Sequence, residues 1–76
     1  MEKLLEILQE LKSGIDYETE KGLIDKELFD SFDILSIVGE LEDEFGVEVT
    51  PVDIVPSNFN SAEALWNMVQ RLQQEA

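Results

Sequence analysis

The chain has 76 residues, with 18 Asp or Glu against five Lys or Arg, and a formal net charge of −13. That length allows one small domain, residues 1–76, and the 43% hydrophobic content excludes disorder throughout. No cysteine means no disulfide framework and no thiolate metal site; no histidine means no Ser-His pair for nucleophilic catalysis.

The first predicted helix runs from Glu2 to Lys12. Leu4, Leu5, Ile7, Leu8 and Leu11 give it an apolar face at helical spacing, and Gly14 stands where a terminating glycine would close it. A long connection follows, Ser13 to Asp30. Leu23, Ile24, Leu28 and Phe29 are too apolar to leave in water together, so this loop must fold back over the helices.

The second helix is predicted over Ser31–Phe45. Asp30 is a good N-cap, Asp33 is placed three residues on as its reciprocal partner, and both suit the positive end of the helix dipole. Ile34, Ile37, Val38, Leu41 and Phe45 form the buried stripe, and Gly46 ends the helix. Val47-Glu48-Val49 reads as an extended connector with both valines inward, since three residues cannot make a sheet alone.

Thr50-Pro51-Val52-Asp53 has a cap, a proline at the first position and an acid at the third, which starts a short third helix that Pro56 should stop after one turn. The last helix opens at Asn60 or Ser61, with Glu63 placed for a capping box from Asn60. Leu65, Met68, Val69 and Leu72 face inward and Trp66 covers the edge. The expected fold is all-α: a small bundle of three longer helices and one short one, with a long first loop.

Thirteen carboxylates against Lys21 and Lys26 lie between Asp16 and Asp53. Such a field repels nucleic acid and anionic membranes and attracts partners with basic docking surfaces. No segment has the apolar length of a membrane span, and Met1-Glu2-Lys3-Leu4-Leu5-Glu6 lacks the features of a signal peptide. A cytoplasmic monomer is expected.

The chemistry centres on Asp30-Ser31-Phe32-Asp33. A serine in the first turn of a helix points its hydroxyl outward, beside backbone N–H groups that favour an attached phosphate. Asp30 and Asp33 oppose that charge unless a metal ion or a basic enzyme compensates. The plain alternative is that Ser31 belongs to the cap. No Asp-x-Asp-x-Asp-Gly loop marks a calcium site, no other metal site is expected, and a lone serine without a base is a poor nucleophile.

Asp30-Ser31-Phe32-Asp33-Ile34-Leu35, continuing to Glu40-Leu41-Glu42-Asp43-Glu44-Phe45, resembles the acyl carrier protein family. The likeness extends to the length, the acidity, the long first loop and the short third helix. It implies a four-helix acyl-carrier-like bundle that is not itself an enzyme. It also implies that 4′-phosphopantetheine is attached to Ser31 by a Mg²⁺-dependent phosphopantetheinyl transferase and carries acyl or aminoacyl cargo as a thioester. The resemblance further makes helix two the docking helix, with Leu35, Glu42 and Asp43 as its contact positions.

Ser36 and Gly39 depart from fatty-acid carriers, which usually have glutamate and a larger apolar residue there. The apolar pair Leu28-Phe29 before Asp30 is more similar to D-alanyl carrier proteins. That likeness points to an aminoacyl or specialised acyl cargo loaded by an adenylate-forming ligase. From a different class, the acidity alone also fits an unmodified interaction domain holding a basic partner through Glu40, Glu42, Asp43 and Glu44.

Overall fold

A computed structural model describes residues 1–75. Among them the helices are α1 (Glu2–Leu11), α2 (Ser31–Phe45), α3 (Pro56–Phe59) and α4 (Ala62–Glu75), with a single 3₁₀ turn at Pro51–Asp53 before α3. The four-helix all-α architecture expected from the periodicity is the one observed. α1 packs on α2, α3 on α4, and α4 closes against both α1 and α2.

The amphipathic stripes decide this packing. Leu4, Ile7 and Leu8 of α1, Ile37 and Leu41 of α2, and Leu65, Met68 and Val69 of α4 are buried. Each such side chain contributes about 1.5–3 kcal/mol relative to leaving it in water. Ile34, Val38, Phe45 and Leu72 are only half-buried and flank the core. Trp66 seals one edge, its ring 5.7 Å from Phe45 in an edge-on arrangement.

The long first loop folds inward as expected, with Leu23 and Phe29 buried and Ile24 and Leu28 half-buried. Tyr17, which the apolar pattern does not single out, is buried as well and lies 6.1 Å from the Phe29 ring. Phe59, at the end of α3, is another core side chain in a stretch that reads as polar.

Four local expectations are corrected. α1 ends at Leu11, which is exposed, and Lys12 leaves the helical region in an extended conformation. Gly14 does adopt a positive φ of 89°, but two residues beyond that cap, so it turns the loop rather than closing the helix. Pro56 does not stop a helix. It occupies the first turn of α3, where a missing N–H costs nothing.

The cap of α4 is Ser61, whose Oγ accepts the Ala64 amide at 3.0 Å. Asn60 makes no capping box with Glu63, because its carboxamide is turned toward the first loop. Its Oδ1 accepts the Ile24 and Asp25 amides at 2.9 and 3.1 Å. Its backbone carbonyl accepts the Leu23 amide at 2.9 Å.

Candidate functional site

The start of α2 is built by a reciprocal pair. Asp30 Oδ1 accepts the Asp33 amide at 2.9 Å, and Asp33 Oδ2 accepts the Asp30 amide at 3.1 Å. These carboxylates satisfy two N–H groups that a helix start otherwise leaves to water. Ser31 stands at the first helical position between them, exposed. Among the described residues no hydrogen bond engages its hydroxyl, so the cap does not use it.

Asp33 is further held by Lys12, whose Nζ donates to the same Oδ2 at 3.1 Å. The Asp30 amide foremost, and then Lys12, hold the Asp33 carboxyl below the ordinary carboxylate range despite its partial burial. Lys12 also accepts the Tyr17 hydroxyl on its backbone carbonyl. Burial pushes the Tyr17 hydroxyl pKa up, and the Asp33 charge adds to the shift.

Glu27, Phe29, Asp30, Ser31 and Ile34 line an open cleft at this end of the bundle. Ile34 also lines a separate apolar cavity of about 80 Å³ with Ile24, Ile54, Val55, Pro56 and Phe59. Glu27 has a positive φ of 57°, unusual for a residue with a side chain, just ahead of the serine motif.

The predicted docking positions fall in different settings. Leu35 is 63% exposed, and Asp43 is exposed too. Glu42 is half-buried, and its Oε2 accepts the Val49 amide at 3.0 Å, so one carboxylate oxygen faces the connector. Phe32, which sequence reasoning did not place, is 81% exposed beside Ser31. Its position outside the Ile34–Phe45 stripe is the signal that could have found it. Ser36 and Gly39 lie exposed on the same helix, and a Cβ at Gly39 would meet nothing within 4 Å.

Fit to a covalently attached arm can be judged from these positions. An exposed serine with its hydroxyl outside every internal hydrogen bond, opening on a cleft, accepts an added group without displacing any core side chain. The four helices and the reciprocal cap at the start of α2 make this a small helical domain with one serine hydroxyl left out of the cap. The family model described as "Phosphopantetheine attachment site" matches residues 2–69, and the chain belongs to that family. Its prosthetic group is therefore 4′-phosphopantetheine, held covalently on a serine, and the domain carries rather than catalyses. No curated protein and no solved structure matches the chain significantly. Among the described residues no helix is long and apolar enough to cross a membrane.

Proposed function

We propose that Ser31 is the attachment point, and that the chain presents acyl or aminoacyl cargo to partner enzymes from the exposed end of α2. The observation that supports this most directly is the division of labour at the helix start. Asp30 and Asp33 make the cap, and the Ser31 hydroxyl remains exposed. When bound, the arm supplies a terminal thiol on which cargo rides as a thioester.

Asp30 and Asp33 hold the serine at a fixed place on the helix. Their charges also oppose a new phosphate, so the transferase must bring Mg²⁺ or basic side chains that compensate during modification. Leu35, with Phe32 next to Ser31, offers an apolar contact at the modified end, and Asp43 offers charge farther along α2. A transferase or an adenylate-forming ligase with a basic rim around an apolar pocket fits that combination. A cytoplasmic location, where coenzyme A is at hand, is part of this proposal.

The cargo we favour is small. Phe29 of the apolar pair is buried against Tyr17, so that pair serves packing before anything else. The cavity beyond Ile34, about 80 Å³, is roughly half the size of an engineered apolar cavity that accepts benzene. It is half-open past the exposed Ile54 and Val55 and holds only part of a long acyl chain, whereas an aminoacyl or short acyl group need not enter.

The test is intact mass after incubation with coenzyme A and a broad-specificity transferase. A single phosphopantetheine adduct on the wild type and none on Ser31→Ala is expected. An undiminished adduct on Ser31→Ala would place the attachment elsewhere. Binding of a basic partner that ignores Ser31→Ala, with no adduct on the wild type, would favour the unmodified interaction domain.

A further inference from the structure

Residues 46–50 leave α2 without pairing to any strand, so their buried backbone donors need side-chain acceptors. Two carboxylates provide them. Glu42 Oε2 accepts the amide of buried Val49 at 3.0 Å, and Asp53 Oδ2 accepts the Thr50 amide and hydroxyl at 3.1 and 3.0 Å. Asp53 Oδ1 is held in turn by Arg71 of α4 at 3.0 Å, and its backbone carbonyl accepts the Asn58 carboxamide at 2.8 Å. A polar chain thus runs from α2 through the connector to α4.

Glu42 is the α2 terminus of that chain, and it acts twice. Its backbone carbonyl accepts the Gly46 amide that closes the helix, and its side chain recaptures the connector three residues later. The next residues form the 3₁₀ turn, where Val52 is 81% exposed. Beside the burial of Val47 and Val49, one carboxylate oxygen that a docking enzyme would otherwise be expected to read therefore ties the connector ahead of this turn to α2.

We propose that Glu42 is a positioning residue: it fastens the Val47–Thr50 connector and the Pro51–Asp53 turn to α2 through the Val49 amide, and the docking charge of α2 is carried by Asp43 and Glu40. Glu40 and Asp43 are exposed and make no hydrogen bond among the described residues, whereas Glu42 is half-buried and engaged. This assignment deepens the carrier reading, because it says which carboxylates a partner can grip. What Glu42 supplies is an acceptor, and a neutral carboxamide supplies one as well. Charge and acceptor can therefore be separated.

The experiment compares Glu42→Gln, Glu42→Ala and Asp43→Asn by two readouts. Amide hydrogen exchange of the carrier alone reports on the connector. Initial-rate kinetics with the phosphopantetheinyl transferase at several salt concentrations report on docking. For Glu42→Ala, Val49 protection should fall at least tenfold while the Leu41 and Leu65 amides keep theirs. Glu42→Gln should retain Val49 protection and a KM within about twofold of wild type.

Asp43→Asn should leave Val49 protection unchanged, raise KM several-fold and flatten its salt dependence. The proposal is overturned if Glu42→Gln raises KM as much as Asp43→Asn does. It is equally overturned if Glu42→Ala leaves Val49 protection unchanged or lowers all core amides alike. Failure of the wild type to accept the arm would sink the carrier reading instead, and the exchange readout would still decide the role of Glu42.

Discussion

Lys12 Nζ and the Asp30 backbone amide share one acceptor, Asp33 Oδ2, each at 3.1 Å. The end of α1 is thereby tied to the first turn of α2 across 21 residues of sequence, and Tyr17 fastens the same lysine from the loop by donating to its carbonyl. The ion pair is partly solvated, which limits it to about 0.2–1 kcal/mol. The Tyr17 hydrogen bond is worth about 1 kcal/mol. Urea unfolding should therefore show Tyr17→Phe at least as destabilised as Lys12→Met. A larger loss for Lys12→Met would mean that the ion pair dominates the junction.

Asp33 also sets a pH dependence. Its folded pKa lies below its unfolded one, chiefly through the Asp30 amide and then through Lys12. Its contribution is therefore complete above the unfolded carboxylate pKa, about 3.9, and is lost as pH falls through the lower folded value. Acid also relieves the repulsion of a chain at −13, but that relief is nearly common to wild type and Asp33→Asn. The stability gap between them should close as pH drops below about 4. A gap that stays constant to pH 2 would show that the charge of Asp33 contributes nothing.

Most of the helical frame was legible because it rests on local rules. The Asp30/Asp33 box, the Gly46 terminus with its φ of 65° and the inward valines at 47 and 49 follow from spacing and residue type alone. The α1 end, Gly14 and Pro56 are local boundary errors, whereas Asn60 and Glu42 share another cause: each is engaged by a segment that reaches it only when the chain folds back. Asn60 is within reach of Glu63 by pattern, yet it binds Ile24 and Asp25, 36 and 35 residues away. Glu42 reads as surface acid until the connector folds back onto it. The site follows the same division, since the exposure of Ser31 comes from its local cap, whereas the Lys12 contact with Asp33 needs α1 and α2 already packed.

Asn60 offers a direct test of how the first loop is held. Its carboxamide takes two loop amides, and Nδ2 donates to Asp25 Oδ2 at 3.3 Å. Asn60→Ala strands the partly buried Ile24 amide, a loss of about 1–3 kcal/mol, while water can replace the bond to exposed Asp25. Faster amide exchange at Ile24 with a lowered urea midpoint is expected. If both are unchanged, burial of Leu23 and Phe29 alone suffices to hold the loop.

The charge balance predicts a salt response. All five cations lie in ion pairs, with Glu44, Asp33, Glu63, Glu20, Asp53 and Glu75. Six of the eighteen carboxylates are so paired, leaving twelve with no cation among the described residues. Their mutual repulsion exceeds what salt takes from the mostly solvated pairs. Tm should rise with added NaCl and further with Mg²⁺ at equal ionic strength. A flat or falling Tm would mean the ion pairs outweigh the repulsion.

Leu35 separates docking from folding. It is 63% exposed and adds little to the core, so Leu35→Arg should change stability by no more than about 0.5 kcal/mol. The arginine would place a cation and a longer side chain where a partner with a basic rim must approach, one turn after Ser31. Circular dichroism and the urea midpoint should match wild type while the transferase KM rises about tenfold or more, equivalent to about 1.4 kcal/mol of lost transition-state binding. Phe32→Ala, at the other exposed apolar position beside the serine, should act in the same direction with a smaller effect, because it removes a contact without adding a repulsive one. Full activity in both variants would move the docking surface off this end of α2, even if Ser31 still accepted the arm.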